Sequence, residues 1–300
     1  MFAIVTHVIF TLSDHNSYAM KTILVPTDFS EISRNAAKYA MALAADVNAQ
    51  KIVLYNAYQA PPILTENTIP AMPVVDIDTI RDISEHGMNS FIETLKIDCP
   101  PGVQLEQRTG FSILAKDIND ICQEVGAFLI VMGITGTNKL EEALIGSTAI
   151  SVMKVTKLPV VIVPAEAKYS SINNVMLACS FKNVLETTPI EPIRNILNAT
   201  RAKLHAVNVY EDEKELTAAK TAQKELLQSL LKEYDPAFEF IQSDDFIAGI
   251  NDYVESKGID MIIAIPRKHK FLEGLFKERH TKKLAFHSHV PLLYVHQEDL

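Results

Sequence analysis

Cysteine is scarce in this chain of 300 residues, which carries only Cys99, Cys122 and Cys179. A small, odd number without a CxxC spacing excludes a disulfide framework and a structural zinc site, and it points to a reducing compartment, the cytoplasm. Positive charge is short as well, with 28 Lys and Arg against 37 Asp and Glu and a formal net charge of −9. Nonspecific nucleic-acid binding is driven by Lys and Arg neutralising phosphates, so no nucleic-acid partner is expected. Long apolar runs are missing too. The opening MFAIVTHVIFTL has no Lys or Arg ahead of it and is followed by SDHNSY rather than a small-residue cleavage site, so neither a membrane span nor a signal peptide is read. Residues 1–20 are expected to be a disordered or mis-assigned extension, with Met20 as the natural start, because a strand begins directly after it.

Four motifs are absent as well. No GK[ST] follows any glycine loop and no GxGxxG occupies the first strand-to-helix turn, which excludes a Walker A loop and a Rossmann fingerprint. HisSerHis at 287–289 with His296 lacks a Cys or carboxylate at metal spacing, so these histidines are not read as a metal site. The Tyr and Phe positions form no ladder on which bases could stack.

What is present is an ordinary globular composition, 48% hydrophobic and 22% charged, at a length that suggests two domains. Internal repetition supports this. TILVPTDF (22–29) resembles NVMLACSF (174–181), and KIVLYNAY (51–58) resembles KLHAVNVY (203–210), both 152 positions later. IND at 118–120 returns at 250–252, Gly126 at Gly258 and LPVVIV (158–163) as VPLLYV (290–295), all 132 positions later. The 20 extra residues of the first copy fall after its second strand, where APPILTENTIPAMPVVD carries four prolines. Proline at that density excludes helix and central strand and predicts a loop near the strand ends, either a lid or a plain surface insertion. The domains are placed at 21–165 and 170–300, joined through PAEAKYSS.

Within the first copy the periodicity alternates. It predicts strands at 23–27, 51–57, 103–109, 128–132 and 160–163, with helices at 30–48, 78–95, 113–125 and 147–156; the second copy is expected to repeat this from 173 to 295. Ser30 is read as the cap of the first helix, in which Ala36, Ala37, Ala40, Leu43 and Ala44 recur at helical spacing. Alternation of this kind means a mostly parallel, open-twisted α/β sheet with helices on both faces, two such five-stranded sheets in tandem. The closing strands, 160–163 and 292–295, are apolar edges that invite pairing. Paired within one chain they would make a pseudo-dimer; a homodimer of two chains stays open.

The richest stretch chemically is MGITGTNKLEEALIGST, residues 132–148. Gly133 and Gly136 follow the buried-looking run LIVM, and Gly146, Ser147 and Thr148 come just before a helix. Glycines admit close backbone approach, and a helix start offers unpaired N–H groups with partial positive charge, which suits phosphate. Asp28, at the end of the first strand, faces the same rim. It is either a turn and capping residue or a carboxylate for ribose hydroxyls and for Mg held through phosphates.

With VPTDFS, Asn56-Ala57-Tyr58, the G-x2-G-x9-G-S-T pattern and LPVVIVP in hand, residues 21–300 resemble the universal stress protein family in a tandem form. The resemblance implies an adenine nucleotide alpha hydrolase-like fold with strand order 3-2-1-4-5 and ATP between strands one and four. Pro26, Thr27 and Asp28 would lie beside adenine and ribose, Ala57 beside adenine, Met132 and Gly133 near the ribose, and Gly136, Gly146, Ser147 and Thr148 at the phosphates. Phe128 departs from the Asp common before the fourth strand. In the second copy Asp28 becomes Ser180, Gly146 and Ser147 become Glu278 and Arg279, and of the loop glycines only Gly274 survives, so ATP is not expected there. Residues 267–283 are instead strongly basic, either a solvated face or a site for another anion or an acidic partner.

The function expected is that of a cytoplasmic, ATP-binding regulatory or stress-response protein with an unidentified protein partner. A slow ATP hydrolase or adenylyl-transferring enzyme and a ligand-free scaffold are the alternatives. No catalytic residue is assigned, because the loop offers only Lys139, Glu141 and Glu142 and no arginine.

Overall fold

A computed structural model of the chain describes residues 21–59, 76–134, 147–212, 214, 217–265 and 290–296. The proline-rich insertion, Gly136, Gly146, the basic segment 267–283, His287 and His289 lie outside these residues. Among the described residues no helix is long and apolar enough to cross a membrane.

The first half runs β1 (Thr22–Pro26), α1 (Glu31–Asp46), β2 (Lys51–Tyr58), α2 (Ile77–Leu95), β3 (Gln104–Phe111), α3 (Leu114–Val125), β4 (Ala127–Ile134), α4 (Ser147–Val155) and β5 (Val160–Pro164). The expected elements are all there within a few residues. Ser30 caps α1, its side chain accepting from Ser33 N at 3.2 Å. The alanine stripe predicted for this helix is fully buried, and its small side chains let the helix lie close on the sheet.

The second half runs β6 (Asn174–Ala178), α5 (Val184–Thr187), α6 (Ile190–Thr200), β7 (Lys203–Tyr210), α7 (Ala218–Leu230), β8 (Ala237–Gln242), α8 (Phe246–Lys257), β9 (Met261–Ala264) and β10 (Leu292–Tyr294). It does not repeat the first half throughout. Where the first half has the unbroken α1, the second has a four-residue helix and then a separate one. The break falls at Thr187-Thr188-Pro189, because the residue before a proline is driven out of helical geometry. The extra length of the first half is also not all loop, since α2 has 19 residues and α7 only 13. Gly126 and Gly258, matched in the repeat, close α3 and α8 at φ 66° and 58°, a left-handed cap that glycine adopts without strain.

The ten strands of the described residues form one sheet in the order β3-β2-β1-β4-β5-β10-β9-β6-β7-β8. Each half is parallel with internal order 3-2-1-4-5, and the halves meet where β5 and β10 pair antiparallel, Val161 opposite Leu293. The two apolar edges thus cover each other. One core cluster runs across the join on a single face of the sheet and includes Val161, Val163, Leu293 and Val295. On the other face Tyr294 of the second half enters the core of the first. The linker is tied down as well: Asn35 Nδ2 donates to Pro164 O and Ala167 O at 3.1 and 2.9 Å, Tyr169 donates to Asp46, and Asp260 accepts from Asn173 N and Asn174 N. At the outer edge, β3 carries charge, with Lys51 paired to Glu106 at 3.4 Å and Arg108 to Glu124 at 2.6 Å, a pattern that discourages strand addition.

Two histidines are held neutral by the fold. His205 is buried, with Nδ1 2.8 Å from Tyr253 Oη; burial, then Lys203 and Lys257, push its pKa below the ordinary value. His296 Nε2 lies 2.6 Å from Met153 O across the join, and burial likewise pulls its pKa down, only partly opposed by that bond. A histidine with a lowered folded pKa leaves the unfolded chain binding more protons once pH falls through the ordinary range, so stability declines with falling pH. Thermal melts between about pH 7 and about pH 5 are expected to show this loss, with a shallower slope for His205→Gln. Identical slopes for the two proteins would contradict the assignment.

Candidate functional site

The β1–α1 turn is built from short polar contacts. Thr27 N donates to Tyr55 O at 2.8 Å, which keeps the chain in register with β2 past the last residue of β1. Thr27 Oγ1 accepts from Phe29 N at 3.0 Å and lies 2.9 Å from Ser33 Oγ. Phe29 takes φ 66°, a left-handed conformation that costs a non-glycine residue roughly 1–2 kcal/mol. Packing holds it there. Its ring meets Phe91 at 5.8 Å, and a Cβ on Gly87 would come within 2.6 Å of it. Gly87→Ala gains about 1 kcal/mol of helix propensity against an overpacking cost of about 1–3 kcal/mol. A net loss of stability is therefore expected in denaturant titration, and a gain would show that the ring moves freely.

Asp28 stands at the mouth of this turn. Its Oδ1 accepts from Ser30 N at 3.1 Å and from Ser30 Oγ at 2.5 Å. Burial pushes its pKa up, but the hydrogen bonds from the Ser30 side chain and backbone and from Ser33 outweigh it and hold the carboxyl below its ordinary value. The turn role and the rim position, set against each other in the sequence, belong to the same residue.

Beside the turn lies a cavity of about 470 Å³. The turn contributes Pro26, Thr27, Asp28, Ser30 and Ser33, and β4 contributes Met132, Gly133 and Ile134. From β2 come Tyr55, Asn56 and Ala57, and from the start of α3 Ile113, Leu114 and Ala115. The start of α4 adds Thr148 and Ser151. Since β1 sits between β2 and β4, one flank is mostly apolar and the other carries hydroxyls, a carboxylate and a helix N-terminus. Of the residues singled out in the sequence, Pro26, Thr27, Asp28, Ala57, Met132, Gly133 and Thr148 come together here. Ser147 opens α4 next to them, while Gly136 and Gly146 lie outside the described residues.

Gly133 has a packing role that the pattern did not reveal. A Cβ there would stand 2.6 Å from the Ile32 backbone oxygen, so β4 approaches the first turn of α1 more closely than any side chain allows. Ser33, Tyr55, Gln59, the first residues of α3 and Ser151 also line the cavity and were not foreseen. Their residue types are common, and only the fold gathers them. Asn56 did leave a trace, since it is retained as Asn208 in the repeat.

The equivalent place in the second half is built differently. Ser180 stands for Asp28, and its buried Oγ has no hydrogen-bond partner among the described residues. Val209 stands for Ala57, and a Cβ on Gly249 of α8 would lie 3.3 Å from its Cγ1. The side chain at this position is thus larger than in the first half and has a helix close against it.

The universal stress protein family matches residues 20–164. A universal stress protein of Methanocaldococcus jannaschii is 30% identical over 148 residues, covering 49% of this chain and 84% of that protein. The chain belongs to the universal stress protein family. A second relative, a universal stress protein of Bacillus subtilis, is 28% identical over 145 residues, covering 47% of this chain and 97% of its own. For the whole molecule, the crystal structure of a universal stress protein from Archaeoglobus fulgidus superposes with a TM-score of 0.69, covering 92% of this chain and 98% of that one. At 18% identity it shows the universal stress protein fold alone, and it extends that fold over the second half, where the family match stops.

Proposed function

We propose that the first half binds ATP or a closely related adenine nucleotide and that the protein acts as a cytoplasmic regulatory factor of stress physiology. The observation that carries this reading is the two-sided cavity at the carboxyl ends of β1 and β4, the place where open α/β sheets take ligands. Its volume suits a small molecule. The flank of Tyr55, Ala57, Ile113 and Leu114 fits a flat, apolar base. Asp28, ionised and aimed at the rim, fits ribose hydroxyls or Mg bound through phosphates. Thr148, in the first turn of α4, stands where a helix start favours phosphate oxygens, and the sequence pattern assigns Gly136, Gly146 and Ser147 to the phosphates as well. A nucleotide supplies charge and shape for partner recognition; the protein residues bind and orient it.

Binding is favoured over turnover because the glycine loop, residues 133–148, contributes no arginine and no Lys, Arg or His is among the described lining residues, which leaves no guanidinium to meet the charge that develops in phosphoryl transfer. The nucleotide released on heat denaturation of freshly purified protein is expected to be ATP at one per chain, whereas ADP or AMP would favour an enzyme. Gly136→Val and Gly146→Asp should abolish retention, and unchanged affinity in both contradicts the site. Ser180→Asp is expected to leave the ratio at one, since the second half also lacks the loop glycines. Asp28→Asn should weaken binding about tenfold or more, the worth of a charged hydrogen bond. With its pKa held low, Asp28 stays charged above the ordinary carboxylate range, so its contribution fades only as pH falls below that range.

A further inference from the structure

Both halves keep an asparagine at the same place near the end of their second strand, and in both its side chain does the same thing. Asn56 Nδ2 donates to Thr27 O at 2.7 Å, and Asn208 Nδ2 donates to Cys179 O at 2.9 Å. The turns they hold are alike, since Thr27 N donates to Tyr55 O and Cys179 N to Val207 O, and Phe29 and Phe181 both lie at positive φ. A buried amide that presents its nitrogen to that carbonyl is fixed that way round when its oxygen finds a donor on the other side. The first half supplies Ser84 Oγ of α2 at 2.6 Å and the second Lys220 Nζ of α7 at 3.0 Å. Two unlike residues on corresponding helices thus orient one retained amide.

We infer that Asn56, oriented by Ser84, is a positioning residue that holds the β1–α1 turn in its ligand-ready shape; this rests on the nucleotide reading of the first cavity. Asn56 is 8% exposed, Thr27 7% and Ser84 4%, so solvent competes little for these bonds. The carbonyl being held belongs to Thr27, and the next residues, Asp28, Phe29 and Ser30, carry the carboxylate, the strained backbone and the helix cap to the rim. Without the amide the strained turn has fewer restraints, and Asp28 must be ordered at the expense of binding. The pair also connects α2 to the cavity, since Ser84 is three residues from Gly87, which abuts Phe29.

The repeat provides its own control. Asn56→Ala and Asn208→Ala each remove the bond to the turn carbonyl and are expected to lower the melting temperature, Asn208→Ala the more because its oxygen accepts from Lys220 Nζ. Only Asn56→Ala should weaken ATP binding, roughly tenfold, and Ser84→Ala should weaken it in the same direction by a smaller factor. Hydrogen exchange read by mass spectrometry should quicken at the Phe29 and Ser30 amides in Asn56→Ala and not in Asn208→Ala. Wild-type ATP affinity in folded Asn56→Ala, or equal weakening in both variants, overturns the inference. If the wild-type protein binds no ATP, the nucleotide reading fails on its own, and unchanged protection at Phe29 and Ser30 in Asn56→Ala then rejects positioning separately.

Discussion

Gly133→Ala is expected to destabilise the protein by about 1–3 kcal/mol and to abolish or strongly weaken nucleotide binding. The added methyl would meet a backbone oxygen, that of Ile32 at 2.6 Å, with Ile32 Cγ2 at 2.7 Å behind it. A side-chain tip can swing away, but a carbonyl in the first turn of a helix moves only if the helix moves. The first turn of α1 carries Ser33 and follows Asp28 and Ser30, so relief of the clash shifts the hydroxyls and the carboxylate on one flank of the cavity. Denaturant unfolding and ATP titration of the same variant test both parts. A variant of wild-type stability and affinity would mean that β4 and α1 are further apart than described, and the site geometry would have to be abandoned.

The second large effect is expected at the join between the halves. Val161 is fully buried and lies opposite Leu293 in the antiparallel β5–β10 pair. Val161→Asp places an unpaired carboxylate in the core that crosses the join, a change that costs several kcal/mol when nothing neutralises it. Beyond the β5–β10 pair the join keeps only a few contacts, among them the His296–Met153 bond and the Tyr294 ring, so the wild-type protein should unfold in one transition and the variant in two. Loss of the join also exposes apolar edges on β5 and β10, and concentration-dependent association should appear in light scattering. A single, merely lowered transition without association would show that β5 and β10 do not couple the halves.

Much of this architecture was legible from local pattern. The recurrence of TILVPTDF as NVMLACSF and of Gly126 as Gly258 announced the duplication. Strict strand and helix periods placed the elements of the first half, since burial on a parallel sheet leaves a continuous apolar run and burial of one helix face leaves a 3.6-residue stripe. The break between α5 and α6 was written at Thr188-Pro189 but was hidden by the overall repeat, because a two-copy argument carries the regularity of one half into the other. At the cavity, Asp28, Gly133 and Thr148 were visible because Gly133 and Thr148 belong to one spaced glycine–hydroxyl pattern and Asp28 directly follows an apolar strand on the same rim. Ser33, Tyr55, Ile113 and Ser151 were not, because a serine, a tyrosine or an isoleucine carries no mark of what it faces.

The sequence by itself determined the class of fold, its duplication, the strand ends around which a ligand site could form, and the replacement of Asp28 by Ser180 in the second copy. These follow from the chemistry of neighbouring residues, which local spacing records. Only the tertiary structure decided that ten strands make one sheet, that Gly133 lies against Ile32, and that Asn56 and Ser84 hold the turn beneath Asp28. Each of those depends on a contact between segments far apart in the chain, and no local period carries the distance between them.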